Sequence, residues 1–251
     1  MKLALDSQTS SSFRTLERII DHRRSVRRFT SQPIAPGDMQ EVLDAGLLAP
    51  TSSNLQPFEL YWVRSPQKRA ALISACLDQS AARKAQELVV CVARWDLWNQ
   101  TRKEYLAFLQ TQPNIPKMVM AYYERFSLAY YGRGPLNLFG HAKRLGLFLI
   151  GLTRPIIRFP VSREDMRVWA VKSAALVCEN IMLAAAAKGF DSCAMEGHDP
   201  LRVGAIVGLK RRHWKRRWDI PMVLAFGYRD PQTGLFGDRW RRDREKLVKE
   251  T

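Results

Sequence analysis

Several common catalytic signatures are missing from this chain. There is no G-x-G-x-x-G after a strand signal, no P-loop and no G-x-S-x-G, which excludes the commonest nucleotide-binding and serine-nucleophile designs. Cysteine is scarce: Cys76, Cys91, Cys178 and Cys193 are scattered and form no C-x-x-C pair. Each sits among apolar neighbours, the pattern of small buried thiols in a reducing compartment. The histidines, His22, His141, His198 and His213, are dispersed and no H-E-x-x-H occurs, so no metal site is expected. Nor does any uninterrupted apolar run reach the roughly eighteen residues of a spanning helix. The nearest, LGLFLIGL at Leu145–Leu152, runs into Thr153, Arg154 and Pro155. The apolar start is broken at Asp6, too soon for a signal peptide. A cytoplasmic location is therefore expected, with contact at the inner face of the membrane left open by residues 145–152. Acidic residues are also short, Asp+Glu 24 against Lys+Arg 40, giving a net charge of +16. Such an excess should attract phosphate as a nucleotide cofactor, a nucleic acid or an anionic membrane surface.

What is present describes an ordinary globular protein. Over 251 residues, 46% are hydrophobic and 25% charged, enough to bury a substantial core. A helix is predicted over Phe13–Arg23 with Ser12 as its cap, and a second from Pro36, stopping at Pro50. Phe58–Val63 and Leu88–Ala93 read as strands, the latter at the centre of a sheet. Arg69–Leu77 reads as helical. Met166–Lys188 is a long helix closed by Gly189, followed by a short strand over Ser192–Met195. Pro200–Val207 is then a helix, Met222–Gly227 a closing strand, and Arg239–Lys249 a charged surface tail. Strands and helices without regular βαβ alternation argue for an α+β fold. The chain reads as a single domain over residues 1–251, with an insertion of helices and loops at about 95–165.

Three polar segments interrupt the apolar periodicity. In HRRSVRRF, His22–Phe29, guanidinium forks and the Ser25 hydroxyl are suited to phosphate, although a solvated basic turn would look similar. APTSSNLQPFEL, Ala49–Leu60, sets Thr51, Ser52, Ser53, Asn54 and Gln56 between prolines and leads straight into an aromatic strand. SCAMEGHDP, Ser192–Pro200, contains Gly197, which permits close approach of a ligand, and Asp199, which can cap the next helix.

Taken together these segments resemble the nitroreductase family of FMN-dependent oxidoreductases. The resemblance rests on R-R-S-x-R-x-F at Arg23–Phe29 and L-x-A-P-T-S-x-N-x-Q-P-F at Leu47–Phe58. An A-A-x-x-x-x-N-x-x-L-A-A helix at Ala174–Ala185, E-G-x-D-P at Glu196–Pro200 and a final Gly227–Tyr228 follow in order. It covers residues 17–94 and 168–229.

The resemblance implies an α+β fold with a central, mostly antiparallel sheet flanked by helices, and a homodimer binding FMN at its interface. Arg23, Arg24 and Ser25 match positions that hold the FMN phosphate and ribityl chain. Arg27 matches a cation beside the flavin pyrimidine. Pro50, Thr51, Ser52, Ser53 and Asn54 match the loop that reaches the flavin from the partner subunit. Gln79 is matched more loosely to a residue at the pyrimidine edge, and Glu196 and Gly197 to the turn facing N5 and O4. Arg239 and Arg241, with Arg242 close behind, are candidates for closing the phosphate site. NADH or NADPH would reduce the flavin, which would then reduce a nitroaromatic, quinone or similar acceptor in ping-pong order. No protein acid–base pair is required. Alternatives are other flavin chemistry on the same fold, namely reductive dehalogenation or flavin fragmentation, and a non-catalytic basic module for membrane or nucleic acid.

The insertion departs from the family pattern. Trp95, Trp98, Tyr105, Tyr122, Tyr123, Phe126, Tyr130 and Tyr131 could stack on a flat substrate, but core packing is the simpler expectation for most. Lys143–Arg158 pairs an apolar stretch with flanking cations. It suits a weak anchor on anionic lipid, a buried helix or a dimer contact, and the dimer contact is preferred. The basic run KRRHWKRR at 210–217 is read as a solvated loop, with nucleic-acid binding not expected.

Overall fold

The computed structural model describes residues 2–134, 137–209 and 217–251, with side chains from Ser11 onward. All but Arg217 of the basic run 210–217 lies outside the described residues. The centre is a sheet of β1 (Phe58–Trp62), β2 (Glu87–Arg94), β3 (Asp191–Met195) and β4 (Trp218–Gly227). Its order is β1-β2-β4-β3 and every pairing is antiparallel. The α+β expectation holds, and the continuous apolar run of β2 lies inside the sheet, as a strand covered on both faces requires.

Strand alternation sends side chains to two cores. Val89, Cys91 and Ala93 of β2, with Leu224 and Phe226 of β4, meet α2 (Pro36–Leu47) and α9 (Arg163–Ala187). Leu88, Val90 and Val92, with Val223 and Ala225, meet α3 (Pro66–Ala75), α4 (Ser80–Lys84) and α10 (Pro200–Ile206). All four cysteines are buried and free. Helix α9 is long and apolar enough to cross a bilayer by composition. Here it is a core helix, burying Ala170, Ala174, Val177, Ile181 and Ala185. It starts at a capping box, in which the Asp165 N–H donates to Ser162 Oγ at 3.1 Å and the Ser162 N–H to Asp165 Oδ2 at 2.9 Å. It ends before Gly189, whose φ of +86° favours glycine. Gly46 lets α2 lie against it: a Cβ there would come 2.4 Å from Ile181 Cγ1.

Several elements differ from the sequence reading. Helix α1 spans Lys2–His22, so Ser12 lies inside it and not at its start. The hydroxyl-rich run before Phe13 reads as a cap, but the backbone is already helical through it. Helix α3 begins at Pro66 rather than Arg69, because Ser65 Oγ accepts the Lys68 N–H at 3.4 Å and proline suits the first turn. The short α4 was not anticipated. Strand β4 starts at Trp218 instead of Met222, since the register shifts between Cys91 and Ala93 opposite Pro221, where a bulge tolerates proline.

Residues 95–165 form α5 (Trp98–Thr111), α6 (Lys117–Ala121), a wide helical turn at Tyr122–Phe126, α7 (Ser127–Tyr131) and α8 (Leu138–Ile150). Trp95, Leu109, Tyr123 and Tyr131 join the α9 side of the core, bearing out core packing for those aromatics. Phe126 is exposed. The buried-helix reading of Lys143–Arg158 is overturned. Gly140 is the buried residue of α8, while Leu145 and Leu152 are 62% and 68% exposed.

Candidate functional site

Residues 23–29 leave α1 and run alongside β3. Ser25 bridges to Ser192, and the Val26 N–H donates to Ser192 O at 3.0 Å. Val26 and Phe29 are buried and fix this course. The tail returns over the same segment. The Arg27 N–H donates to Gly234 O at 3.1 Å, and the Arg27 guanidinium lies 5.2 Å from the centre of the Phe236 ring. Arg24 Nη2 donates to Gly237 O at 2.9 Å. Arg239 donates to the main-chain oxygens of Arg23 at 2.7 Å and Ile20 at 3.4 Å, and also to that of Asp21. It thereby caps the carbonyl end of α1.

Between segment and tail lies a pocket of about 220 Å³, lined by Arg23, Arg24, Ser25, Arg27, Arg239 and Arg241, with Phe236, Trp240 and the single acid Asp238. Arg23 Nε is buried without a hydrogen bond, with Glu179 Oε1 at 3.5 Å. So many guanidinium donors around one small space fit an anionic, phosphate-bearing ligand. Arg239 lines this pocket with much of its guanidinium already occupied by carbonyls. Arg241 Nη1 donates to Trp240 O at 2.9 Å.

One support of the pocket was not read from the sequence. The buried Asp191 at the head of β3 accepts Arg229 Nε at 2.9 Å, and Arg229 Nη2 reaches His22 O at 3.2 Å. The ion pair raises the Arg229 pKa, chiefly through its hydrogen bond to Asp191. The signal available was an acid opening a strand and an arginine just after the final Gly227–Tyr228.

Past β3 comes the turn at Glu196–Gly197. Gln79 Nε2 donates to Gly197 O and, at 3.0 Å, to Cys76 O. The looser expectation for Gln79 therefore falls beside Gly197. Asp199 caps α10 as expected, accepting the N–H groups of Leu201 at 2.9 Å and Arg202 at 3.1 Å. Strand β3 links the arginine pocket at one end to this turn at the other.

The loop Pro50–Asn54 is organised separately. Ser53 and Asn54 have left-handed backbone, φ 55° and 48°. Ser53 Oγ lies 2.6 Å from Tyr122 Oη and 3.0 Å from Tyr131 Oη, and Tyr123 Oη donates to Ser53 O at 3.0 Å. Ser52 Oγ is 3.3 Å from Tyr131 Oη. Thr51 Oγ1 accepts the Gln56 N–H at 3.1 Å, and Asn54 Oδ1 accepts Gln56 Nε2 at 3.2 Å. Burial pushes Tyr123 and Tyr131 up to about 12, so these phenols stay neutral. Sequence reasoning missed this clamp because its tyrosines lie in residues 95–165, outside the segments that carry the family resemblance. Among the described residues, the loop's hydrogen bonds run to these tyrosines and within the loop, not to the arginine pocket.

The comparisons agree with the fold. The sequence model of the Nitroreductase family matches residues 20–228. A Thermus thermophilus protein described as NADH dehydrogenase is 28% identical over 209 residues, covering 82% of each chain. The solved structure of Bacillus subtilis YdfN superposes with a TM-score of 0.72 at 19% identity, over 94% of this chain and 98% of that one. An Exiguobacterium sibiricum protein solved in complex with FMN superposes with a TM-score of 0.65 at 19% identity, over 94% and 97%. From the arginine segment at Arg23 to Tyr228 after the last strand, this chain belongs to the nitroreductase family.

Proposed function

We propose that this chain is an FMN-dependent oxidoreductase that takes electrons from NADH or NADPH and delivers them to a nitroaromatic, quinone or similar conjugated acceptor. The observation that carries this reading is the pocket of arginines and Ser25, joined by β3 to the Gln79–Gly197 turn. The FMN in the Exiguobacterium neighbour and the NADH named for the Thermus relative support it. When bound, FMN supplies the redox chemistry, accepting electrons from the nicotinamide and passing them to the acceptor in ping-pong order.

The chain's own residues bind, orient and tune. Arg23, Arg24 and Ser25 hold the phosphate and ribityl chain, and Arg241 closes the phosphate side. Arg239 acts by fixing the tail on α1. Arg27 sets a positive charge beside the pyrimidine, which favours negative charge there and raises the flavin's potential. Gln79, Glu196 and Gly197 present polar groups to the ring edge. Pro50, Thr51, Ser52, Ser53 and Asn54, stiffened by the tyrosine clamp, serve the flavin of a partner in a homodimer. A cytoplasmic location belongs to the same reading, consistent with four buried free thiols.

The test compares FMN with riboflavin by fluorescence titration, followed by steady-state kinetics with a quinone. FMN should bind at least about tenfold more tightly, because charge-assisted phosphate contacts contribute roughly 1.5–3 kcal/mol each. Double-reciprocal plots at several acceptor concentrations should be parallel. Equal affinity for FMN and riboflavin would remove the pocket from the site.

A further inference from the structure

We propose that α8 and the segment that follows it, residues 138–159, dock this protein onto an anionic lipid bilayer. Helix α8 turns Lys143 inward, where Nζ donates to Tyr130 O at 2.7 Å and Ala129 O at 3.3 Å. Leu138, Leu145 and Leu149 then share the opposite side at helical spacing, with Phe148 beside them and Leu152 in the turn just beyond, and all five are exposed. Phe159, also exposed, is held 5.3 Å from Lys172 Nζ across its ring. Under α8 runs a groove of about 370 Å³ lined chiefly by Tyr122, Phe126, Tyr130, Leu147, Ile157 and Phe159. An acyl chain can enter such a space.

Charge selects lipid over a second copy. From Arg125 to Arg163 the sequence has no Asp or Glu, and Arg144, Arg154 and Arg158 are exposed around the apolar stripe. A bilayer interface rich in anionic headgroups complements apolar side chains ringed by cations. A second copy carries the same +16 charge. It has another apolar surface to use: Phe13, Leu16 and Ile20 on α1 and Leu47 and Leu48 at the end of α2 are exposed. Those elements lead directly into the arginine pocket and the Pro50–Asn54 loop. The inference does not depend on which acceptor is reduced, or on flavin binding at all.

The test is co-sedimentation of the full chain with vesicles of phosphatidylcholine alone or of phosphatidylcholine mixed with phosphatidylglycerol. Binding to the mixed vesicles should weaken with added salt and exceed binding to phosphatidylcholine by about tenfold or more. The exposed pair Leu145→Ser/Leu149→Ser should lower it by about tenfold, and Arg144→Gln/Arg154→Gln by a similar factor. Size-exclusion chromatography should show the oligomeric state of both variants unchanged. Absence of vesicle binding overturns the proposal. So does wild-type binding by the leucine variant, which would mean adsorption through net charge alone. Loss of subunit association in that variant would assign the face to a second copy and overturn it equally.

Discussion

The guanidinium of Arg239 donates to the main-chain oxygen of Arg23 at 2.7 Å, joining the C-terminal tail to the first functional segment. Arg24 returns the contact, donating from Nη2 to Gly237 O at 2.9 Å. The two walls of the arginine pocket are thus bonded to each other through main-chain carbonyls. A pocket held in this way loses little conformational freedom when an anion enters.

Arg239→Ala should leave the carbonyl end of α1 uncapped and free the tail. The expected loss is about 1–2 kcal/mol, seen as a fall in melting temperature of roughly 2–6 °C. Arg239→Lys should recover only part of it, since an ammonium cannot reproduce the planar fork. An unchanged melting curve for Arg239→Ala would show that the tail does not support α1.

Arg24→Ala should weaken FMN binding by roughly ten- to a hundredfold, through loss of a contact of about 1.5–3 kcal/mol. Riboflavin affinity should change far less. Equal losses for the two ligands would place Arg24 away from the phosphate.

Gly46→Ala should destabilise the chain by about 1–3 kcal/mol, because the new methyl lands on Ile181 where α2 meets α9. Combining it with Ile181→Val, which removes Cδ1, should cost less than the sum of the single changes in a denaturation cycle. Strict additivity would contradict the close approach.

Alkaline pH should destabilise the fold in a definite window. Tyr61, Tyr123 and Tyr131 are each pushed from 10.0 up to about 12, chiefly by burial. Above pH 10 the unfolded chain releases phenolic protons that the folded chain retains. Stability present below pH 10 is therefore lost as pH rises toward about 12. Ultraviolet titration should show phenolate appearing late in the native protein and at its ordinary pH in urea.

The features legible in the sequence were those with a local cause. The apolar run of β2, proline at the start of α2, Asp199 before Pro200 and Gly189 after α9 each announce an element through backbone chemistry. The arginine segment was also legible, as several cations of one type beside a hydroxyl. What escaped depends on chain segments far apart. Nothing near Arg239 indicates that it caps α1, and nothing near Tyr122 or Tyr131 indicates Ser53. Asp191 and Arg229 look like ordinary surface charges until β3 and β4 pair. The sequence left the surroundings of α8 undecided for another reason: an apolar stretch reads the same whether it meets core, subunit or lipid.

The central claim is tested most directly by the visible absorbance of the purified chain after reconstitution with FMN, followed by anaerobic addition of NADH and then NADPH. The account predicts a bound yellow flavin that bleaches with at least one of the two and regains its colour when a quinone is added. A chain that retains no FMN, or a bound flavin that neither nucleotide reduces, would contradict it.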